Sequence, residues 1–449
     1  MTLSDRQLEE LRQALRSGAA APLVMAAGRL SPAEWAQLLS QLPPHELPIV
    51  TRRLPPERRA AIVAELPPTV GADLVARLPR PEGAALLGAL DPDDAADLLA
   101  RLPGGVLTEL LGALPEGRAA RLRQLLAYPA DSAGGRMTPQ FVAVLPDLTA
   151  DQAIAAIRQV AHEAETIYSV YVVDGAQAFL GVLSLHALVT APPGTPVREL
   201  MVPDAVSVRV DTDQEVAARL LMRRNLLALP VTDEGGRLVG IITEDDVADV
   251  LEEEATEDFQ RLGGSQPLET PYRRASVWLL FRKRLPWLLA LFVAEAYTGN
   301  VMRYFEDTLG QVVALSFFIP LLLGTGGNIG SQITTTLVRA MAVDDLSLRD
   351  LRWILGKEFV VGLVIGAVMA LIAFLRAKLL HVGADVGTVV ALAIAAISIW
   401  SSVVAAVLPL LLRKLRLDPT VVSAPFITTL VDGTGLVIYF LIARAVLQL

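Results

Sequence analysis

Two long uncharged segments constrain this 449-residue chain more than any other feature. Residues 308–338 contain no Asp, Glu, Lys or Arg, and residues 419–443 contain Asp432 as their only ionisable group. Each segment is long enough to cross a hydrocarbon layer of roughly 30 Å. A carboxylate at that depth is costly unless it faces water, a partner or an ion. Asp432 is therefore a candidate functional residue within a membrane span.

The first uncharged segment also contains a glycine-rich stretch at residues 324–330, Gly-Thr-Gly-Gly-Asn-Ile-Gly. Glycine lets backbone carbonyls and neighbouring helices approach closely, and irregular backbone in a membrane is tolerated where protein or water surrounds it. Small residues at a spacing of three or four are also a common packing face between helices. Taken alone, the stretch indicates pore lining and helix packing equally.

Charged and apolar residues are distributed unevenly along the chain. A net charge of -9, 53% hydrophobic residues and a mean hydropathy of +0.47 predict a membrane part. Most charges precede residue 285 and most long apolar runs follow it, so the amino-terminal part is predicted to be soluble. The absence of cysteine excludes disulfides, cysteine metal ligands and thiol nucleophiles. The acidic balance argues against a nucleic-acid partner and favours cations.

Five membrane spans are predicted. The basic residues cluster before the first span, after the second and after the fourth, and the positive-inside rule puts those loops in the cytoplasm. The first ten residues lack a signal-peptide pattern, so we expect a cytoplasmic amino terminus and an external carboxy terminus. Glu295 is a second acid at membrane depth, and the sequence leaves open whether it lines a path or is wetted near the outer surface. The predicted spans lie near residues 285–304, 310–338, 357–377, 386–412 and 419–447.

Leucine recurs every twelve residues in the first part of the chain, from Leu30 to Leu114. Proline directly follows six of these eight leucines, which predicts a two-turn helix opening on proline in each unit. Such helices are too short to be stable alone, so the fixed period predicts a stacked helical-repeat superhelix. No cluster of a nucleophile with a base is evident, which favours a regulatory or scaffolding domain over a catalytic one.

A second repeat follows the leucine units. Met137-Thr-Pro is echoed by Met201-Val-Pro, and the apolar run at 168–174 is echoed at 227–233. These tandem copies resemble a pair of cystathionine β-synthase (CBS) domains, each a small α/β unit.

In the CBS family, a Thr or Ser followed three residues later by Asp commonly holds the ribose and phosphates of an adenine nucleotide. The second copy retains this pattern as Thr243 and Asp246, which are candidate nucleotide-binding residues. The first copy has Ser184 and Ala187, which argues against a nucleotide site there. The resemblance therefore leaves ATP binding open.

Residues 244–258 contain nine acids and no base, with Val247, Val250 and Leu251 at helical spacing. Like charges four residues apart oppose such a helix. Divalent cations that cross-link these acids to others would relieve the repulsion. The charge pattern alone indicates a solvated face and a cation sensor equally.

The chain contains a helical repeat, paired CBS copies, an acidic run and five predicted spans, in that order. In this order, and in the local sequences around Asn328 and Asp432, it resembles the MgtE family of magnesium channels and transporters over essentially its full length. The resemblance implies a multidomain fold that combines all-α and α/β parts. Its parts are a helical-repeat superhelix at 1–130, tandem CBS domains at 131–196 and 197–250, an acidic connecting helix at 251–274, and an all-α pore domain of five helices at 275–449.

The resemblance also implies a homodimer in the plasma membrane, surrounded by lipid, whose second and fifth spans line a central pore. Paired Asp432 carboxylates would bind magnesium through its water molecules. Magnesium suits such a site, because it prefers octahedral oxygen ligation and releases its water reluctantly. The other pore residues implied are Gly324, Gly326, Gly327, Asn328 and Thr428.

Magnesium is implied to be the regulatory ion as well, bridging soluble acids and closing the pore when cytosolic magnesium is high. Asn225 departs from the pattern, because an acid occupies that position in the family. The implied regulatory residues are Asp93, Asp97, Asp213, Glu215, Asp246, Asp249, Glu254, Glu257, Asp258 and Asp418.

Two alternatives remain open from the residues. One is a transporter of broader divalent preference that carries manganese or cobalt, since oxygen ligands also admit those ions. The other is a membrane-anchored metal or nucleotide sensor that conducts nothing. An enzyme is not predicted, and the absence of a Gly-x-x-x-x-Gly-Lys-Ser/Thr loop argues against an ATP-driven pump.

Overall fold

The computed structural model describes residues 30–54, 56–343, 346, 348–415, 417–421 and 423–449. The described chain divides into two units. The first unit runs through Glu254 and also includes the segment Glu269–Arg274. The second unit consists of Ala255–Leu268 and Ala275–Leu449.

From residue 30 onward, the described part of the first unit starts with eight short helices, one for each leucine unit. All eight of the periodic leucines are buried, from Leu66 at 2% exposed to Leu102 at 9%, so the period marks the core as predicted. Proline lies at the helix starts, where its missing N–H is not needed. Each helix packs mainly against the next but one, which confirms a stacked helical repeat. The helices are α1 Pro32–Ser40, α2 Leu47–Thr51, α3 Pro56–Ala64, α4 Pro68–Arg77, α5 Arg80–Ala89, α6 Pro92–Ala100, α7 Gly104–Ala113 and α8 Glu116–Leu125.

Two small sheets follow, and they repeat the same register. In each, a short strand pairs in parallel with a central strand that pairs antiparallel with the next. Val172 lies opposite Gly181 in the first sheet, as Val231 lies opposite Gly240 in the second. The tandem α/β prediction is thereby confirmed. The elements are α9 Ala133–Arg136, β1 Ala143–Val144, α10 Ala150–Val160, β2 Ser169–Val173, β3 Phe179–Ser184, α11 Leu185–Thr190, α12 Val197–Leu200, β4 Val202–Pro203, β5 Val208–Arg209, α13 Gln214–Arg224, β6 Ala228–Thr232 and β7 Leu238–Thr243.

The two α/β copies interlock through their Met-x-Pro segments. Thr138 from the first segment exchanges backbone hydrogen bonds with Ile241 of β7, at 2.8 and 2.9 Å. β4 from the second segment pairs with β3 of the first copy. Each copy therefore completes the sheet region of the other, which explains why the motif occurs twice.

The acidic run forms a single helix, α14 Glu244–Leu262. The connecting helix had been expected at 251–274, but the helix begins directly after β7 and ends before Gly264, whose φ is +74°. A left-handed glycine is a common way to terminate a helix. The segment 263–274 is therefore not part of this helix.

Four helical segments of the second unit are long and apolar enough to cross a membrane: Val313–Ala342, Leu351–Leu379, Ala384–Lys414 and Ala424–Leu447. They correspond to the second to fifth predicted spans. The first predicted span, 285–304, lies in the continuous helix Val277–Tyr304, which is not among the four. That span remains a prediction.

Among these four segments, the one beginning at Ala384 is the most buried, and the one beginning at Leu351 is the most exposed and the most apolar. An apolar, exposed surface of this length matches the lipid contact predicted from the sequence. The helices are α15 Val277–Tyr304, α16 Glu306–Gln311, α17 Ile319–Val343, α18 Leu351–Leu379, α19 Ala384–Lys414 and α20 Ala424–Leu447.

Candidate functional site

Helix α17 has two faces of different character. Gly324, Asn328 and Gln332, four residues apart, are exposed, whereas Ile329 and Ile333, each one residue after an exposed one, are buried. Residues at a spacing of four lie on the same side of a helix. The exposed side of this membrane segment is therefore polar.

The glycines of α17 separate into two groups. A Cβ built on Gly326 would lie 2.7 Å from Ile397, and one on Gly327 would lie 2.8 Å from Thr428. The Gly326 carbonyl also accepts a hydrogen bond from Ser401 Oγ at 2.6 Å. In contrast, a Cβ on Gly324 meets no other described atom within 4 Å. Gly326 and Gly327 thus serve helix packing, and Gly324 lies on the exposed polar side.

Asp432 lies on α20, which packs against α17. Its Oδ1 atom is inaccessible to solvent and has no hydrogen-bond partner among the described residues. Thr428, one turn earlier, donates to the Ala424 carbonyl at 3.1 Å and packs on Gly327. The predicted pore residues Asp432 and Thr428 therefore share one side of α20. A carboxylate oxygen without a protein partner at this depth is a group that a cation or its water could satisfy.

Glu295 lies on α15, a helix that packs against α20. Its side chain is exposed in the single chain, and it interacts electrostatically with Asp432. The two acids at membrane depth are therefore neighbours. This proximity favours the path-lining alternative for Glu295 over a position unrelated to Asp432.

In the first unit, four acids from three parts of the chain form the uncompensated cluster: Asp93, Asp94, Glu165 and Asp246. Burial raises the pKa of Asp93 to about 8, with a further contribution from Asp246. Burial likewise raises the pKa of Asp94 to about 7 and that of Glu165 to about 7. The pKa of Asp246 is raised to about 6 by burial, against a hydrogen bond from Thr243 that lowers it. These carboxylates repel each other and lose solvent, and the attraction between Arg118 and Asp93 does not offset that loss.

A second group of acids, beside the first, contains its own cation. The Arg136 guanidinium donates to Asp97 Oδ2 at 3.2 Å, to Glu253, and to Gln214 Oε1 at 2.8 Å. Gln214 in turn donates to Glu254. Burial raises the pKa of Asp97, and Arg136 opposes that rise. We call this the compensated cluster; it joins the helical repeat to α14.

The other predicted regulatory acids have separate surroundings. Asp213 caps α13 by accepting from the Glu215 and Val216 amides, at 2.9 and 3.2 Å. Glu215 pairs with Arg219, and burial raises the Glu215 pKa. Neither residue is part of the uncompensated cluster. Asn225, the departure from the family pattern, closes the same helix in the left-handed conformation, with φ at 50°.

Further along α14, burial and then Glu253 raise the pKa of Asp249. In the second unit, Arg261 pairs with both Glu257 and Asp418. Asp418 therefore has a protein cation beside it where the sequence predicted a metal ligand. Asp258 is half-buried on the same turn of the helix as Glu257.

The candidate nucleotide residues Thr243 and Asp246 are bonded to each other, with Thr243 Oγ1 donating to Asp246 Oδ2 at 2.6 Å. Asp246 thus belongs both to this pair and to the uncompensated cluster. Within the described ranges, no three acidic, histidine or cysteine side chains converge closely enough to hold a metal ion as they stand.

Three functional candidates were missed from the sequence: Asp94, Glu165 and Arg136. Asp94 could have been identified, because it adjoins Asp93 in an acidic helix start. Glu165 and Arg136 had no such signal, since Arg136 and Glu253 are 117 residues apart in the chain.

Comparisons with known proteins agree on the architecture. Family models described as MgtE intracellular N domain, CBS domain and divalent cation transporter match residues 30–131, residues 133–194 and 197–253, and residues 319–442, respectively. The magnesium transporter MgtE of Thermus thermophilus is 44% identical over 330 residues, which cover 73% of this chain and 73% of that protein. The magnesium transporter MgtE of Bacillus subtilis is 36% identical over 74% of this chain and 72% of that protein.

Among solved structures, the cytosolic domain of the Mg²⁺ channel MgtE in complex with ATP superposes with a TM-score of 0.51 at 38% identity. It covers 54% of this chain and 99% of that structure. The matches include the helical repeat, both CBS copies and the membrane helices that contain Asn328 and Asp432. The chain belongs to the MgtE family, a family of divalent cation transporters.

Proposed function

We propose that this chain is a magnesium channel or transporter of the plasma membrane that admits Mg²⁺ and is closed by cytosolic Mg²⁺ bound to its soluble acids. The observation that carries the proposal is the exposed polar side of α17, at Gly324, Asn328 and Gln332, in a helix of membrane-spanning length. Polar surface facing lipid is unfavourable, whereas polar surface lining a water-filled path is not.

The transport path is formed by α17 and α20 of two copies of the chain. A second copy covers the exposed polar side and brings two Asp432 carboxylates to one path. Carboxylates acting through water suit Mg²⁺, which keeps several waters when bound. Conduction also requires that the ion be held weakly enough to leave. Gly324, Asn328 and Thr428 complete the polar lining, and Glu295 adds negative charge near Asp432.

Regulation depends on the uncompensated cluster in the first unit. At high cytosolic magnesium, divalent ions neutralise Asp93, Asp94, Glu165 and Asp246 and hold the helical repeat against the second CBS copy. At low magnesium the repulsion separates these parts, α14 moves and the path opens. The ion shifts this equilibrium only by the difference in its affinity for the two states.

ATP has no step in this mechanism. The relative solved with ATP and the pair Thr243–Asp246 raise the question of a nucleotide here. A triphosphate at Asp246 would lie beside the carboxylates of Asp93 and Asp94, which would repel it. The soluble part and the amino terminus are assigned to the cytoplasm and the carboxy terminus to the outside, following the distribution of basic residues.

The test is magnesium flux into liposomes containing purified wild-type protein, Asp432→Ala or Asp385→Asn, with magnesium on the soluble face varied from none to tens of millimolar. Asp385 is an exposed acid in the first turn of α19 and is the control for loss of a carboxylate in the second unit. We expect flux in wild type and Asp385→Asn, suppression by magnesium on the soluble face, and no flux in Asp432→Ala.

Each of the other outcomes is informative. Flux that persists in Asp432→Ala would move the selective site elsewhere. Manganese or cobalt flux that equals magnesium flux in a competition assay would favour the broader transporter. The absence of flux under every condition would favour the non-conducting sensor.

A further inference from the structure

Two arginines of the helical repeat bind carbonyl oxygens in an equivalent way. Arg58 and Arg118 are each the third residue of their helix, and each donates through Nη2 to the periodic leucine 28 residues earlier. Arg58 reaches the Leu30 carbonyl at 2.9 Å, and Arg118 reaches the carbonyl of Leu90. Leu90 closes α5, and carbonyls at a helix carboxy terminus have no partners within the helix, so arginine is a favourable partner there.

The other units lack this arginine, because Glu82, Asp94 and Val106 stand 28 residues after Leu54, Leu66 and Leu78. At Leu42, the equivalent position is Val70. Instead, Arg274 binds there, from far downstream in the chain: its Nη2 donates to the carbonyls of Leu39 at 3.1 Å and Leu42 at 2.7 Å. Its Nε donates to the Ser40 carbonyl at 2.9 Å.

The geometry of Arg274 matches that of Arg118. The Nη2 of Arg118 donates to Leu87 as well as to Leu90, and the pair Leu39 and Leu42 has the same spacing. The Arg274 side chain is 10% exposed, and its Nη1 lies 4.0 Å from Asp73 Oδ2. Arg274 therefore occupies the place of a repeat arginine without belonging to the repeat.

Arg274 lies at the junction between the two units of the chain. Glu269–Arg274 belongs to the first unit, while the residues on both sides of it in sequence belong to the second. Two residues after Arg274, Ser276 caps α15 by accepting from the Leu279 amide at 3.1 Å. The chain thus passes directly from the bound arginine into a long helix of the second unit.

We propose that Arg274 is a latch that fixes the chain just before α15 to the first helix of the helical repeat. Movement of the helical repeat then pulls on α15 through two residues of chain, independently of the pull exerted through α14. Because α15 packs against α20, which contains Asp432, this second connection transmits the state of the soluble acids to the transport path. That last consequence rests on the proposed function; the latch itself does not.

The latch is tested by hydrogen exchange on the full-length protein in detergent at saturating magnesium, comparing Arg274→Met with Arg58→Met. Both variants remove one arginine that donates to backbone carbonyls at one end of α1, but only Arg274 connects to α15. We expect exchange at residues 269–274 to rise about 10- to 100-fold in Arg274→Met, because several hydrogen bonds from a charged group are lost, and to stay unchanged in Arg58→Met. Equal exchange in wild type and Arg274→Met would overturn the latch.

The same proteins in the liposome flux assay test the coupling. We expect Arg274→Met to conduct but to need at least about tenfold more magnesium on the soluble face for closure, whereas Arg58→Met closes as wild type does. Unchanged magnesium inhibition in Arg274→Met would overturn the coupling. If wild type conducts no magnesium, the proposed function fails, while the exchange result still decides the latch.

A double variant separates coupling from simple loss of stability. Val70→Arg with Arg274→Met returns an arginine to the repeat position that faces Leu42 and leaves the segment before α15 unbound. We expect α1 in this protein to be as protected from hydrogen exchange as it is in wild type, because an arginine again binds its last carbonyls. We do not expect the magnesium inhibition of flux to return. Recovery of wild-type inhibition would show that Arg274 acts only by stabilising the helical repeat, and would overturn the coupling.

Discussion

Two sets of acids in the first unit, only a few residues apart on α6, differ in how their negative charge is balanced. At Asp97, the Arg136 guanidinium supplies the positive charge, so that the helical repeat and α14 are joined by protein atoms alone. At Asp93 and Asp94, burial and the facing Asp246 outweigh the attraction of Arg118 for Asp93, and the pKa values of these two carboxylates rise to about 8 and about 7.

The difference shows which contacts can respond to an ion. A guanidinium pair holds at any magnesium concentration, whereas crowded carboxylates are favourable only when protonated or when a divalent cation is present. In the proposed function, the compensated cluster keeps the parts in register and the uncompensated cluster senses magnesium. Four measurements on the full-length protein in detergent test this difference; each determines the opening free energy of α6 from hydrogen exchange.

The largest effect is expected from pH in the absence of magnesium. In the folded unit, the acids of the uncompensated cluster keep their protons up to a raised pH, about 8 for Asp93. In the unfolded chain, Asp and Glu lose their protons at about pH 4. Between these limits the folded unit binds more protons, so its stability falls as pH rises from 6 to 8. Each additional bound proton contributes about 1.4 kcal/mol per pH unit. Stability that rises over this range would contradict the assignment, and saturating magnesium should flatten the slope.

The next effect concerns stabilisation by magnesium. An ion at about 100 times its dissociation constant stabilises the state that binds it by about 2.7 kcal/mol. The double variant Asp93→Asn with Asp246→Asn removes both the repulsion and the magnesium ligands. We therefore expect α6 to be protected from hydrogen exchange even without magnesium. Added magnesium should then stabilise it by less than half of the wild-type increment. A full wild-type increment in the double variant would place the sensing ion elsewhere.

Arg136→Met should have an intermediate effect. It leaves Asp97 and Glu253 without their cation, and because both are partly exposed the cost should be about 2 kcal/mol, below the roughly 3–5 kcal/mol of a fully buried pair. Magnesium should now recover part of the loss, because two further carboxylates are free to bind it. A loss that magnesium leaves unchanged would argue that Arg136 acts by packing alone.

The smallest effect is expected at a surface pair. Arg52 and Glu82 are bonded at 2.7 Å, but the side chains are 45% and 42% exposed. Exposed pairs contribute little, so Arg52→Met should change the opening free energy by less than about 0.5 kcal/mol, with or without magnesium. A change as large as that of Arg136→Met would mean that burial does not separate the two kinds of pair.

The features that repeat or depend on neighbouring residues could be predicted from the sequence. The twelve-residue leucine period identified the core of the helical repeat, and the echoed runs identified both α/β copies with their shared register. Caps and periods are local, so they are visible before folding. The start of α14 was misplaced, because the acidic run adjoins β7 and the helix forms directly after it.

Contacts between distant segments could not be predicted. No local pattern indicates that Arg136 meets Glu253, or that Glu165 faces Asp246. The glycines of α17 show the same limit: their sequence favoured packing and path lining equally, and only the surrounding helices assign Gly326 to packing and Gly324 to the exposed side. The period of the repeat also shows that Val70 stands at the position of Arg58 and Arg118, but not that Arg274 binds the Leu42 carbonyl instead.

The bond between Ser401 and the Gly326 carbonyl has a consequence for movement within the second unit. If α17 slid along α19 so that Thr325 replaced Gly326, this bond would break and a side chain would face Ile397, which lies 2.7 Å from the position of a Cβ at Gly326. Helices α17 and α19 therefore form a frame that resists sliding. We expect the path to widen by tilting of α20 and α15 against that frame, so the gate and the wall of the path are different helices.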